Sequence, residues 1–276
     1  MRFFTLILLL LGLFAQGQFD SLKCGTVFKG SYADNYFNNN EQRLVTAPSL
    51  PDVNRTLIVT PWIVLDSLYQ PGVSEAAIQS QITTVNSKLA PINLSLTICE
   101  FRYIENYRYD LFVNATEEDE LTTLYNEPNT INMYFVQVIV DMPLAAGYAY
   151  MPGGKDVIVI TKGGLSAMPH EVGHFLGLPH TFEGGNELVE RTDCYNTGDG
   201  FCDTEADPYN SSNSGALDAN CNYKGQPAKD SNGDWYVPPV TNIMSYWGCE
   251  CEETDFTFEQ LNKIADVVLN IRNYLW

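Results

Sequence analysis

All three histidines of this 276-residue chain lie between His170 and His180, and this run most constrains what the chain can form. His170 and His174 are four residues apart, so on a helix both side chains project from one face and both imidazoles can reach one ion. Glu171 can lean over the open side of that ion as a general base. Because imidazole is a common zinc ligand, the pattern favours a zinc site over the alternative, a histidine-rich helix in an ordinary core.

The residues after His174 predict that the helix stops and the chain turns back. Gly177 can take a positive φ and end the helix, and Pro179 cannot continue it. His180 can then return to the ion as a third ligand. Three protein ligands leave one position open for water, which is typical of catalytic rather than structural zinc. Zinc lowers the pKa of that water to about 7, and Glu171 can take its proton as it attacks a carbonyl.

Residues 1–17 read as an export signal. Arg2 precedes an apolar stretch at 3–14, and residues 15–17 form a small-x-small cleavage site. The stretch is too short for a comfortable membrane span, and no other long apolar segment follows. We therefore expect a secreted protein with no membrane anchor in its mature form. A lipid anchor on Cys24 is the alternative, and it is disfavoured because that cysteine lies well past the apolar stretch.

The net charge of −19 at pH 7 disfavours nucleic-acid binding through a basic face. Such acidity is typical of solubility outside the cell, and calcium binding by some carboxylates is a second interpretation. The sequence does not indicate an oligomeric state.

Periodicity along the chain predicts an α/β fold. Residues 18–50 are polar and asparagine-rich, as in a short pro-segment or a flexible leader. Beyond them, we expect strands at 57–65, 92–103, 131–140 and 156–161, and helices at 75–89, 116–125 and 166–176. This alternation favours a sheet backed by helices. Residues 181–240 lack periodicity, so we expect disulfides or a metal ion to hold this segment in place. A capped helix beginning at Thr257 follows near the end of the chain.

Several motifs together resemble the metzincin metalloproteases and, within them, the pappalysin family. The run from His170 to His180 is similar to the long metzincin zinc motif, and Asn-Ile-Met-Ser-Tyr at 242–246 is similar to the methionine turn beneath the zinc. His-Thr-Phe-Glu-Gly-Gly at 180–185 and Gly-Asp-Gly-Phe-Cys-Asp-Thr at 198–204 narrow the resemblance to pappalysins. The resemblance covers about residues 55–276.

What the resemblance implies is a zinc-dependent endopeptidase acting on proteins or peptides. Residues 51–276 would form a metzincin-like α/β (α+β) catalytic domain. Its upper subdomain, to about residue 177, would carry a twisted mixed sheet with backing and active-site helices. An irregular lower subdomain at 178–276 would end in a helix. The alternative is a catalytically silent binding or adhesion module on the same scaffold, although the intact Glu171 counts against it.

The resemblance also assigns roles in the site. One zinc would be bound by His170, His174 and His180, with Glu171 as general base. Met244 would lie beneath the metal, although ordinary core packing is the alternative. Tyr246 matches a tyrosine whose hydroxyl can approach the reacting carbonyl, with a core or surface role as its alternative.

A calcium site is a further implication of the resemblance. Pappalysins often bind calcium after the third histidine, and the matching oxygen donors are Asp199, Asp203 and Thr204. Asp and Thr also serve as turn and cap residues, which is the alternative.

The seven cysteines permit bridges in an exported protein. The family arrangement suggests two bridges, Cys194–Cys221 and Cys202 with either Cys249 or Cys251.

Cys24 resembles the pro-segment cysteine that keeps latent metzincins inactive by binding the zinc in its open position. Thiolate is a strong zinc ligand, so this role is chemically sound. A Cys24–Cys99 disulfide is the structural alternative.

One stretch departs from the family pattern. Some pappalysins place an Asp shortly after the tyrosine of the methionine turn, where it receives a basic side chain of the substrate. Here that stretch contains no Asp, although Glu250 is near. Cleavage before Arg or Lys is therefore not predicted.

Overall fold

The computed structural model describes residues 23–26, 31–33, 35–36, 49–185, 187–210, 212–213, 216–247 and 255–276. The predicted export signal lies outside these residues, and so do Cys249, Glu250 and Cys251. Within the described part, no helix is both long and apolar enough to cross a membrane.

A mixed sheet of seven strands forms the frame of the fold. Its strands are β1 (Lys23–Cys24), β2 (Arg55–Val64), β3 (Leu94–Ile98), β4 (Arg102–Ile104), β6 (Ile131–Val136), β8 (Ala145–Ala149) and β9 (Val157–Thr161). Their order is β1-β8-β9-β6-β2-β3, with β4 also paired to β2, and only β8 and β9 pair antiparallel. Two further short strands, β5 (Leu111–Phe112) and β7 (Val138–Ile139), pair with each other.

The sheet is accompanied by helices α1 (Glu75–Leu89), α2 (Asn114–Leu124), α3 (Met168–Phe175) and α4 (Phe258–Asn270), and residues 31–33 and 35–36 are also helical. Side chains alternate between the faces of a strand, so β6 contributes to two cores. Met133 and Phe135 pack in the core that includes α1, α3 and α4, whereas Tyr134 and Val136 pack in the core that includes α2. The predicted α/β class, a mixed sheet with helices on it, is confirmed.

Pro61 lies inside β2 without breaking it. Proline has no N–H to donate to a neighbouring strand. β3 pairs with β2 only up to Val59, and β4 begins its pairing at Trp62. Pro61 therefore falls at the change from one neighbour to the next. The prediction of a single strand at 92–103 is wrong. That segment forms two short strands, β3 and β4, which pair with β2 on either side of Pro61.

The helix predictions agree closely with the structure. α1 begins after Ser74, whose side chain accepts a hydrogen bond from the backbone N–H of Ala77, and its apolar stripe is buried. α4 begins with the predicted capping box of Thr257 and Gln260. Three strands were not predicted: β1, β5 and β8. The first two have only two residues each, and β8 consists of alanine, glycine and tyrosine, of which alanine and glycine have low strand propensity.

α3 carries the first two histidines into the centre of the molecule. It contacts β8 and β9, and Val172 and Phe175 are fully buried in the core. Gly177 has a φ of +95° and ends the helix region, as predicted. A hydrogen bond of 2.9 Å from Arg272 Nε to the carbonyl oxygen of Phe175 ties the end of the chain to the end of α3.

Candidate active site

The three imidazoles face one another in a buried space at the end of α3. Nε2 of His174 lies 3.1 Å from Nε2 of His170 and 3.0 Å from Nε2 of His180. None of the three residues is more than 5% exposed. The chain reversal at Gly177 thus returns His180 to the pair on the helix.

Each imidazole is fixed through its other ring nitrogen. Nδ1 contacts an oxygen in all three rings: Ile243 O at 2.6 Å for His170, Leu178 O at 2.7 Å for His174, and Glu183 Oε2 at 2.9 Å for His180. An oxygen partner assigns the ring proton to Nδ1. The lone pair of each Nε2 is therefore directed into the shared space.

These residues fit a zinc ion. Converging lone pairs repel one another unless a cation lies between them. Two nitrogens bound to one tetrahedral zinc are about 3.3 Å apart, since each Zn–N bond is about 2.0–2.1 Å. The Nε2 separations are close to that value. Cys24 Sγ completes a group of four ligand atoms that all lie within 4.8 Å of one another.

The histidines are neutral at physiological pH. Burial lowers the pKa of His170 to about 4 and holds the pKa values of His174 and His180 well below their usual range. Neighbouring imidazoles lower the latter two pKa values further. Neutral imidazole is the form that binds a metal ion, so the ligands need not lose a proton first.

Glu171 is fully buried beside this space. Its Oε2 accepts hydrogen bonds from Thr26 Oγ1 at 3.1 Å and from Cys24 Sγ at 3.3 Å. Its Oε1 has no hydrogen-bond partner among the described residues. Burial raises the pKa of Glu171 to about 8, and the two hydrogen bonds oppose that rise. An unpartnered buried oxygen of this kind is typical of a functional site.

Met244 forms a floor beneath the histidine helix. A Cβ at Gly173 would lie 2.3 Å from Met244 Sδ, so only glycine allows the sulfur this close. Met244 N donates to Asn242 Oδ1 at 2.8 Å, and Thr181 N donates to Met244 O at 3.2 Å. The same turn supplies the Ile243 carbonyl that holds His170.

Comparison with known proteins agrees with this geometry. Residues 149–269 match the family model described as Peptidase_M43, Pregnancy-associated plasma protein-A. An extracellular metalloprotease of Neurospora crassa is 27% identical over 215 residues, covering 70% of this chain and 67% of that protein. One of Colletotrichum graminicola is 26% identical over 216 residues, covering 70% and 68%. These similarities support a pappalysin-like zinc protease of the metzincin type.

Solved structures resemble this chain only distantly. Metalloproteinase-II of Bacteroides fragilis is 14% identical, with a TM-score of 0.32, and the match covers 52% of this chain and 51% of that one. Archaemetzincin of Methanopyrus kandleri is 13% identical, with a TM-score of 0.31, covering 45% and 76%. Neither likeness is close enough to bear on the site.

The described residues 23–26 lie against the histidine site. β1 pairs in parallel with the edge strand β8, where Cys24 lies opposite Gly147. Thr26 Oγ1 accepts a hydrogen bond of 2.8 Å from the N–H of Ala149, further along β8. Cys24 and Cys99 are both free, so the alternative of a disulfide between them is wrong.

Tyr246 stands beside the histidines. Its ring centroid lies 4.8 Å from that of His180 and 5.7 Å from that of His170. Its hydroxyl donates a hydrogen bond of 2.8 Å to the carbonyl oxygen of Cys24. Burial, with Cys24 and Glu171 nearby, raises the pKa of this hydroxyl, which therefore stays protonated and able to donate.

The cysteine pairing differs from the one that the resemblance suggested. Cys194 is bonded to Cys202, with their Cα atoms 5.1 Å apart, so the pairings Cys194–Cys221 and Cys202 with Cys249 or Cys251 are wrong. Gly198 and Gly200 both have positive φ and turn the chain back between the two cysteines. Cys221 is also disulfide-bonded.

Two of the three predicted calcium donors, Asp199 and Thr204, contact each other, whereas Asp203 contacts the start of α4. The Asp199 carboxylate accepts hydrogen bonds from Phe201 N at 3.0 Å and from Thr204 Oγ1 at 2.8 Å. Asp203 Oδ2 accepts from Glu259 N at 2.8 Å in the first turn of α4. These are turn and cap roles, which were the alternative interpretation. The described contacts of the three side chains therefore give no support for calcium.

Sequence reasoning did not assign three residues that shape the site: Gly173, Glu183 and Thr26. Gly173 lies inside the recognised motif, and its position three residues after His170, beside the histidine face of the helix, was an available signal. Glu183 follows His180 by three residues, a spacing that suits a contact within one turn. Nothing local marks Thr26, because its contacts with Ala149 and Glu171 depend on how β1 joins the sheet.

Proposed function

We propose that this chain is an exported zinc endopeptidase in which Glu171 is the general base. One observation carries the proposal: a fully buried carboxylate with an unpartnered oxygen lies beside three converging imidazoles. Burying a carboxylate without full hydrogen bonding is unfavourable. A reacting water provides the partner that this oxygen lacks.

The chemistry divides among few groups. Zinc held by His170, His174 and His180 would supply a Lewis acid that polarises a peptide carbonyl and lowers the pKa of a water to about 7. Glu171 takes a proton from the attacking water and passes it to the leaving amine. The protonated hydroxyl of Tyr246 donates a hydrogen bond to the negative charge that develops on the carbonyl oxygen.

In the full chain the leader blocks this chemistry, and we propose that it keeps the enzyme latent. Cys24 Sγ lies within reach of the three imidazoles, where it would be a fourth ligand to a zinc ion and would exclude water. β1 covers the edge of β8, to which an extended substrate can add as a strand. Thr26 donates a hydrogen bond to Glu171, and the Cys24 carbonyl oxygen accepts one from Tyr246. Both groups that act on the substrate are therefore occupied. Proteolytic removal of the leader, about residues 18–50, frees all of these at once.

Export and substrate class rest on sequence. The similar proteins of Neurospora crassa and Colletotrichum graminicola are named extracellular metalloproteases, which supports a secreted role. Proteins and peptides are the substrate class, because the edge of β8 that β1 leaves when the leader is removed suits an extended backbone. Cleavage before basic residues is not expected, since the stretch after Tyr246 has no Asp.

The central test is Glu171→Gln, which preserves size and removes the base. With the leader removed by limited proteolysis and zinc supplied, a peptide library is digested and the products are sequenced. We expect kcat/KM to fall by about 10²–10⁴-fold, the usual contribution of a general base. Bound zinc, measured by metal analysis, should be unchanged. Glu105→Gln, on the exposed loop after β4, is the matched control and should cleave like the wild type.

Two results would reject parts of this proposal. Full activity in Glu171→Gln would remove this carboxylate from the mechanism. A zinc-loaded wild type that cleaves no member of the library would instead favour a binding module on the protease scaffold.

A further inference from the structure

A largely buried guanidinium lies in the lower subdomain proposed at residues 178–276. The side chain of Arg191 is 13% exposed. Its Nη1 donates to the carbonyl oxygen of Thr204, and its Nη2 donates to the carbonyl oxygen of Phe201. Its Nε lies 3.0 Å from Glu187 Oε1. One cation is thus surrounded by oxygens from three positions along the chain.

Two buried carboxyl groups lie in this region. Glu187 is 3% exposed and Asp199 is 1% exposed. The Glu187 carboxylate packs onto Gly198, where a Cβ would lie 2.4 Å from Oε2. Neither Glu187 oxygen has a hydrogen-bond partner of good geometry among the described residues, so its ion pair with Arg191 is its main compensation. A buried carboxylate that loses such a cation is strongly destabilising.

The backbone around Arg191 has an unusual conformation and a disulfide nearby. Arg191 has a φ of +56°, a conformation that residues other than glycine adopt rarely. The Cys194–Cys202 disulfide ties the segment that follows Arg191 to the segment that carries Phe201 and Thr204. The guanidinium therefore joins two pieces of chain that have no regular secondary structure.

Carbonyl and carboxylate oxygens are also the ligands that calcium prefers. The resemblance predicted calcium in this segment. Of the predicted donors, Asp199 and Thr204 are hydrogen-bonded to each other and Asp203 accepts from Glu259 N, whereas the Arg191 guanidinium contacts the carbonyl oxygens of Phe201 and Thr204. A guanidinium is permanently charged and has five N–H donors in a rigid plane. We propose that Arg191 replaces calcium as the structural cation of the lower subdomain, so that the folded chain needs no calcium ion there.

The test is a set of melting curves of the full chain with zinc supplied and calcium removed from the buffer. The wild-type Tm should move by less than about 1 °C when calcium is raised to about 10 mM, a level that fills weak extracellular sites. Arg191→Met keeps the apolar stem and removes the charge. Without calcium its Tm should fall by on the order of 10 °C, because Glu187 loses its cation.

Calcium should then restore at least half of the loss in Arg191→Met, whereas magnesium at the same concentration should not, because magnesium requires a tighter octahedral site. The double variant Arg191→Met, Glu187→Gln lacks the buried charge and should not respond to calcium. Lys224→Met removes an exposed cation of the same subdomain and is the matched control, with a Tm near that of the wild type.

Three results would overturn the proposal. They are a wild-type Tm that rises by more than about 5 °C with calcium, an equal response of Arg191→Met to magnesium, and no response of that variant to calcium. If Arg191→Met does not fold, calorimetric titration of the wild type decides. Absence of calcium binding supports the proposal, and a Kd below about 1 mM overturns it. Because Tm and binding are measured rather than cleavage, the outcome is independent of the proposed protease mechanism.

Discussion

Gly173 lies directly over Met244. A Cβ at position 173 would approach Met244 Sδ to 2.3 Å and Met244 Cε to 3.2 Å. Gly173 stands between His170 and His174 on α3, and Met244 follows the residue whose carbonyl oxygen holds His170. The absence of a side chain at one position therefore sets how closely the helix and the methionine turn approach.

Gly173→Ala should consequently disturb the metal site. Overpacking costs about 1–3 kcal/mol, only partly offset by the higher helix propensity of alanine, about 1 kcal/mol. We expect a lower Tm and weaker zinc binding in a competition titration with a chromogenic chelator. Gly163→Ala is the control, because a Cβ there meets open space. Adding Met244→Ala should restore zinc affinity in part, and a lack of coupling between the two sites would contradict this explanation.

Glu183 should strengthen zinc binding through His180. Its Oε2 lies 2.9 Å from His180 Nδ1, and an anionic partner orients the ring and raises its basicity. Glu183→Ala should weaken zinc affinity by about 10–100-fold, the usual effect of losing such a partner, and Glu183→Gln by less. Glu190→Ala, an exposed acid in the same subdomain, should leave affinity unchanged. Equal affinities for the three variants would show that the contact has no such role.

Cys24→Ala should activate the intact chain before the leader is removed. Its thiol is one of the four converging ligand atoms, and the substitution opens that position to water. We expect at least a tenfold rise in cleavage of a short peptide, since about 1.4 kcal/mol of lost blocking free energy gives that factor. Cys99→Ser, at a free and exposed cysteine, should stay latent. If Cys24→Ala and Cys99→Ser are equally inactive until the leader is removed, the thiol is not what blocks the site.

Asp207 should make stability depend on pH. Burial raises its pKa from the usual 3.8 to about 6, against hydrogen bonds from Thr181, Tyr209 and Trp247. The folded state therefore keeps a proton that the unfolded state releases. Protonation of Asp207 therefore adds about 3 kcal/mol to the free energy of unfolding. This stabilisation is fully present below pH 3.8 and is lost as the pH rises through 6.

Asp207→Asn isolates that contribution. The amide can accept from Tyr209 and Trp247 through its oxygen and donate to the Thr181 hydroxyl. The variant should match the wild-type Tm near pH 4 and exceed it by on the order of 10 °C at neutral pH. A Tm difference that does not change with pH would mean that Asp207 titrates near its ordinary value.

Local spacing predicted the features that depend on neighbouring residues. The shared face of His170 and His174 follows from one helical turn, and the reversal at Gly177 follows from the freedom of glycine. The capping box at Thr257 is equally local. By contrast, β8 was missed, because its stability comes from pairing with β9 rather than from its own residues.

The sequence by itself determined the metal-binding helix, the turn after it and the α/β class, because each depends on periodicity or on the φ that a residue can adopt. Only the tertiary structure decided that Cys24 lies against Glu171, that Cys194 pairs with Cys202, and that Arg191 contacts the carbonyl oxygens of its subdomain. Those contacts join segments whose meeting depends on sheet order and loop closure. Residue spacing does not specify which segments meet, since a long or irregular connection allows a side chain many partners of the same chemistry.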